Sequence, residues 1–221
     1  MVHLFKNKCM SKLRVGAVIP VKTFSRAKTR LNISSEKTEQ ICKIMLESVL
    51  NTVSQSEIID KTVVVSKDEA ALSIGKRFGA VQIYDKEEIG VNSAVMLADN
   101  YFSKENFDVS IVFPQDIPLI QVEDINILIG YRMSNRCVLV VPSRKFDGTN
   151  ALFRMPIDVM ETHYDEDSYK IHLNTAEKRD ASSSLVLIRR IMLDVDEHSD
   201  LNLIMTQDLP VVKSLRSIMN S

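Results

Sequence analysis

The chain has 221 residues, 45% of them apolar, and a formal net charge of −1. That length can bury a sizeable core, and the near-neutral charge excludes a general nucleic-acid binder, which needs a basic surface to displace counterions. No apolar run approaches the roughly 20 residues that cross a bilayer, and MVHLFKNKCMSKLR lacks the apolar centre of a signal peptide, so neither nucleic acid nor membrane is expected as a partner.

Residues 1–13 look like a short polar extension, with Met10 as an alternative start. Residues 14–221 look like one domain, because no linker rich in Ser, Gly or Pro interrupts them. Cys9, Cys42 and Cys137 are widely spaced and form no CxxC pair. Cys42 and Cys137 sit in apolar patterns and fit core thiols in a reducing cytoplasm.

RVGAVIPV (14–21) is a continuous apolar run, the pattern of a strand buried on both faces of a parallel sheet. Four cations follow closely: Lys22, Arg26, Lys28 and Arg30. A helix is expected from Ser35, with Ser35 as its cap and Glu36 in its first turn, where negative charge suits the dipole. Ile41, Met45 and Val49 mark its buried face. KTVVVS (61–66) is a second strand, DEAALSIGKRFG (68–79) a helix ended by Gly79, and AVQIYD (80–85) a third strand. Residues 92–106 form a helix capped by Asn92 or Ser93. DVSIVFP (108–114) is a fourth strand stopped by Pro114, 121–134 a helix, and RCVLVVPS (136–143) a fifth strand.

Five rounds of strand and helix imply right-handed crossovers onto a mainly parallel sheet covered on both faces. In such α/β sheets ligands bind beyond the carboxyl ends of the strands. After Ser143 the pattern loosens. DGTNALFRMP (147–156) suggests a loop and short strand, 168–180 a helix, and LVLIRR (185–190) a strand, so the last third is expected to hold an antiparallel insertion.

Chemistry is therefore expected at the strand ends. Neither GxxxxGK[ST] nor GxGxxG occurs, and six glycines leave little for a glycine-lined phosphate loop. The loop after the first strand would hold anions by side-chain charge, through Lys22, Lys28 and Arg30, with help from the next helix N-terminus; the alternative is a solvated basic loop. In FPQDIPLI (113–120), prolines stiffen the turn carrying Asp116. A rigid strand-end carboxylate suits Mg²⁺, which takes oxygen ligands and uses one or two carboxylates beside substrate phosphates. Asp116 as a turn or helix-capping residue is the other reading.

In MLDVDEHSDL (192–201), Asp194 and Asp196 are expected on opposite sides of an extended segment, leaving one of them to join Asp116 at a metal, and Asp200 is expected to cap the final helix. In DGTNALF (147–153), Gly148 permits close backbone approach, and Thr149 and Asn150 offer uncharged donors to a carboxylate or phosphate. Ser168 and His172 share a helix face at i and i+4, yet no acidic partner or GxSxG marks a hydrolase. His3, His163 and His198 lack zinc spacing.

Ile19–Lys22 followed by Ala27–Leu31, the Pro114–Ile120 loop, GTNALF, the Ser168-x₃-His172 helix and LDVDEHSDL occur in this order. Together they resemble the 2-phospho-L-lactate guanylyltransferase family of coenzyme F420 biosynthesis, over about residues 14–207. The resemblance implies a MobA-like or GT-A-type nucleotidyltransferase, a Rossmann-like three-layer α/β sandwich. It implies GTP and a small phosphorylated hydroxy- or enol acid as partners, and association into a homodimer. On that reading Lys22, Lys28 and Arg30 hold the triphosphate, Asn92 contacts the nucleoside, Thr149, Asn150 and Ser168 orient the acceptor, and Asp116 with Asp194 binds Mg²⁺. A sugar-phosphate or molybdopterin nucleotidyltransferase and a non-catalytic nucleotide-binding module are the alternatives. Two departures stand out. Tyr164–Tyr169 carries Asp165 and Asp167 where the family has glycines, so two carboxylates are expected to oppose a phospho-acid there. Gln115 stands where a small residue is commoner.

Overall fold

The computed structural model describes residues 12–165 and 167–220. Cys9, His3, Met10 and the expected extension up to residue 11 lie outside the described residues.

Strand β1 (Val15–Val21) is followed by two short 3-10 turns and helix α1 (Ser35–Ser54). Then come β2 (Lys61–Ser66), α2 (Glu69–Arg77), β3 (Val81–Tyr84), α3 (Val91–Lys104) and β4 (Val109–Val112). Helix α4 (Val122–Gly130), β5 (Cys137–Pro142), β6 (Thr149–Met155), α5 (Ser168–Lys178) and β7 (Ser182–Leu185) follow. Three helices close the described chain: α6 (Arg189–Met192), α7 (His198–Ile204) and α8 (Pro210–Asn220).

The seven strands lie in the order β3-β2-β1-β4-β6-β5-β7. β1 pairs in parallel with β2 and β4, β2 with β3, and β5 with β7. The expected antiparallel element is β6, inserted between β4 and β5 and antiparallel to both. Apolar residues of β1 alternate between the two faces of the sheet. Ile19 belongs to the core cluster that holds Met45 of α1 and Leu215 of α8 on one side, and Val18 to the cluster that holds Phe102 of α3 and Ala176 of α5 on the other. The result is the expected three-layer α/β sandwich. Gly16 permits the close approach of α3, because a Cβ there would lie 2.4 Å from the Phe102 ring.

Four local expectations change. Ser34, not Ser35, caps α1: its backbone is extended and its hydroxyl accepts from the Lys37 N–H at 3.3 Å. Helix α3 starts one residue early, with Gly90 at its cap, so Asn92 and Ser93 lie inside its first turn. Strand β7 is Ser182–Leu185 rather than 185–190. Serines fill the edge pairing with β5, while the apolar run beyond it leaves the sheet and buries Val186 and Ile188 in the core. Asp200 does cap, though not in the final helix. Its carboxylate accepts from the N–H groups of Asp196 and Glu197 at the start of α7.

Candidate active site

Two distant loops are tied together at the carboxyl ends of β1 and β4. The Val195 N–H donates to the Asp116 carbonyl at 2.9 Å, and the Val195 side chain is fully buried. In an extended segment residues i and i+2 share a face. Asp194 and Asp196 therefore turn the same way, opposite to Val195, and the expectation that they face opposite sides is corrected. Burial is the largest influence on Asp194 and pushes its carboxyl up to about 6; the negative charge of Asp116 adds to this, while a hydrogen bond from Asn150 opposes it.

Lys28 sits at the centre of this acidic cluster. Its ammonium donates to both Asp116 and Asp196, and its side chain is only 8% exposed. Burial alone would lower its pKa; the charges of Asp116 and then Asp196 outweigh that, so it is raised and the group stays charged. The backbone at Lys28 is left-handed, φ 53°, ψ 36°. That conformation costs an L-residue about 1 kcal/mol or more and is typical of sites where function dictates geometry. Lys28, which the sequence suggests as a cation for phosphates, is thus paired here with two carboxylates.

Lys28, Asp116 and Asp196 line a cleft of about 520 Å³ over the ends of β1–β4. Lys22 and Arg30 line it too; both are exposed, and neither has an ion-pair partner among the described residues. Arg26, a further cation in the wall, lies 3.7 Å from Glu88. Asp194 is set back from the wall, with its Oδ1 accepting from Asn150 at 3.0 Å.

Thr149 also faces the cleft, at the start of β6. The His163 N–H donates to Nε2 of His172 at 2.9 Å, so the proton of that neutral ring sits on Nδ1 and is given to Thr149 Oγ1 at 3.0 Å. Burial, then Arg154, pulls His172 down to about 3, which keeps it neutral. Ser168 donates to the same oxygen at 3.0 Å. With two donors directed at Oγ1, the Thr149 hydroxyl has its own proton left to give to a ligand.

The other expected site residues act through neighbours rather than in the wall. Asn150 gives its amide protons to the Ile191 carbonyl and to Asp194, fixing the acidic segment. Ser168 is buried behind Thr149. Asn92 accepts from the Tyr164 N–H at 2.9 Å and so anchors the loop whose Tyr164 lines the cleft. Asp165 and Asp167 are exposed, and Asp167 pairs with Lys170 at 3.1 Å. Neither carboxylate lines the cleft, so the expected opposition to a phospho-acid does not arise from its wall. Asp167 takes the left-handed backbone, φ 56°, that glycine favours. Gln115 lines the cleft with its buried Oε1 unpartnered.

Among the described residues no group of three or more His, Cys, Asp or Glu side chains is arranged to hold a metal. Magnesium asks for less, one or two carboxylates with phosphates and water completing the shell. The donors fit that demand, because Asp116 and Asp196 already converge on one positive charge and Asp194 stands next to them.

Sequence reasoning missed Asp85 and Glu88, which also line the cleft. Asp85 directly follows β3, so the strand-end rule that led to Asp116 pointed to it as well.

The profile described as "Guanylyl transferase CofC like" matches residues 15–217. The phosphoenolpyruvate guanylyltransferase of Conexibacter woesei is 29% identical over 84% of this chain and 85% of its own length. The 2-phospho-L-lactate guanylyltransferase of Methanothermobacter thermautotrophicus is 30% identical over 86% and 83%. Among solved structures, a chain from Desulfovibrio desulfuricans described as a nucleotide-diphospho-sugar transferase superposes with a TM-score of 0.71 at 14% identity, covering 94% of this chain and 96% of that one. A 4-diphosphocytidyl-2C-methyl-D-erythritol synthase from Anaerococcus prevotii gives 0.62 at 10%, covering 94% and 97%. At such identities these two bear on the fold alone.

Proposed function

Because the chain belongs to the CofC-like guanylyl transferase family, we propose that it joins GTP to a small phosphorylated acid, 2-phospho-L-lactate or phosphoenolpyruvate, in coenzyme F420 biosynthesis. An acceptor phosphate oxygen attacks the α-phosphorus of GTP. The bond from that phosphorus to the bridging oxygen of the β-phosphate breaks, and pyrophosphate leaves. The observation that carries this reading is the convergence of Lys28, Asp116 and Asp196 in one cleft over the strand ends.

A phosphate monoester has its second pKa near 6 and is mostly a dianion at neutral pH, so it needs no general base. The protein's work is positioning and charge neutralisation. Lys22 and Arg30 meet the triphosphate as exposed cations of the cleft wall. Lys28 exchanges its carboxylate partners for phosphate oxygens when the nucleotide enters. Thr149 gives its hydroxyl proton to the acceptor's anionic group, held in that role by His172 and Ser168. Asp116, with Asp196 or Asp194, would hold Mg²⁺, which when bound neutralises the charge shared by the two phosphates. Homodimer formation and a cytoplasmic location, where GTP is available, belong to this reading.

The test is pyrophosphate release from each of four nucleoside triphosphates with magnesium, using 2-phospholactate, phosphoenolpyruvate or a sugar phosphate as acceptor. Release that requires GTP and one of the two phospho-acids is expected, with mass detection of the diphosphate-linked product. Release with a sugar phosphate alone rejects the reading. Asp116→Asn is expected to lower turnover by on the order of 10³; unchanged turnover removes the metal assignment.

A further inference from the structure

We infer that Asp85 is the residue that selects guanine, by accepting hydrogen bonds from the N1–H and 2-amino group of the base; this rests on the guanylyl-transfer reading above. Asp85 is the first residue beyond β3, and its N–H donates to the Ser66 carbonyl at the end of β2. It is only 5% exposed, yet it lines the cleft. Its Oδ1 accepts from the Glu88 N–H at 3.0 Å. Among the described residues no donor reaches Oδ2, and this oxygen is not one of the sealed, unpartnered polar atoms, so it is open to the cleft. A ligand donor in the cleft would reach it.

The neighbouring side chains fit a base. Val65, Val91, Ala94 and the exposed Ile89 give this end of the cleft aliphatic walls. The nearby carboxylate of Glu88 is already committed, since its Oε1 accepts from the N–H and hydroxyl of Thr23. The separation also fits. Asp85 at β3 and Asp116 at β4 are three strand spacings apart, roughly 14 Å, so a nucleotide can lie across the sheet with its base at one end and its phosphates at the other.

The chemistry discriminates by the sign of each partner. Guanine presents two donors side by side on that edge. Adenine presents a ring-nitrogen acceptor there, which would face the carboxylate with no proton between them. Hydrogen bonds to a charged group carry enough free energy for roughly 10- to 100-fold selectivity each.

The first test uses the unaltered protein, so folding is not in question. Pyrophosphate release is measured with GTP, inosine triphosphate, 1-methyl-GTP and 2′-deoxy-GTP. We expect kcat/KM to fall by about tenfold or more without the 2-amino group and by about 100-fold with the N1 methyl. A 1-methyl-GTP value within about threefold of GTP overturns the inference. A loss confined to 2′-deoxy-GTP reassigns Asp85 to the ribose and also overturns it.

The second test is Asp85→Asn. Its amide accepts from N1–H and donates to a 2-oxo group, so the GTP to xanthosine-triphosphate preference is expected to shift by at least about tenfold towards xanthine. A ratio equal to the parent's overturns the inference. The two readings fail separately. A parent that does not prefer GTP to ATP and CTP undoes guanylyl transfer itself, whereas a GTP-selective parent indifferent to these edge changes undoes only Asp85.

Discussion

Asp194 carries a conflict between stability and function. Its carboxyl is pushed up to about 6, first by burial and then by Asp116, from an ordinary value of 3.8. The folded protein therefore holds a proton at pH values where the unfolded chain has lost it. The stability this contributes is present below the ordinary carboxylate pKa and is lost as pH rises through about 6. At pH 8 the ligand-free protein bears the cost of an ionised, crowded carboxylate, on the order of 1–3 kcal/mol. Asp194→Asn keeps the oxygen that accepts from Asn150 and removes that charge. Its ligand-free melting temperature is expected to exceed the parent's by roughly 2–8 °C at pH 8, with the gap closing near pH 4, while turnover falls. A variant no more stable at pH 8 than at pH 4, relative to the parent, would show that the carboxylate is not crowded.

At the scale of elements, the site depends on how the segment after β7 returns to the strand ends. Asn150, near the start of β6, holds that segment by donating to Ile191 and Asp194. Asn150→Ala removes both bonds and leaves the Ile191 carbonyl without this donor, at about 1–3 kcal/mol. Faster amide exchange over 189–197, unchanged exchange in β1–β4 and a fall in kcat larger than any rise in KM are expected. Uniformly faster exchange would mean that Asn150 supports the whole sheet instead.

These elements also mark what was legible beforehand. Continuous apolar runs announced β1, β2, β4 and β5, because burial on both faces favours apolar side chains, whereas β6 is equally buried and carries Thr149, Asn150 and Arg154. The polar serines of β7 gave no such sign; their pairing follows from an edge position that only the assembled sheet creates. Lys28 and Asp116 were visible as strand-end charges, but their mutual pairing was not, since it joins residues far apart in the chain. The common face of Asp194 and Asp196 follows from strand period alone, since residues i and i+2 point the same way.

For the molecule as a whole, Lys28 links the chain's early and late segments across a separation of 168 residues to Asp196. Its ammonium pairs with Asp116 and Asp196, two of the carboxylates that would hold a dication. A metal alone would compete with a buried, paired cation. A nucleotide alone would bring phosphates towards Asp116 and Asp196 without a dication to offset them. Together they would resolve both conflicts: on the proposed reading the phosphates would take Lys28, and the carboxylates would take the metal. Such coupling is reciprocal, each ligand raising the affinity for the other by the same factor. Magnesium alone and GTP alone are therefore expected to move the melting temperature little. Both together, at about 100 times the dissociation constant, are expected to contribute about 2.7 kcal/mol, or roughly 5–10 °C for a chain of this size. In Lys28→Ala the ammonium is gone, so magnesium alone is expected to stabilise the protein and the excess shift from the pair to shrink. Equal magnesium shifts in parent and variant would show that the ammonium does not guard the metal position.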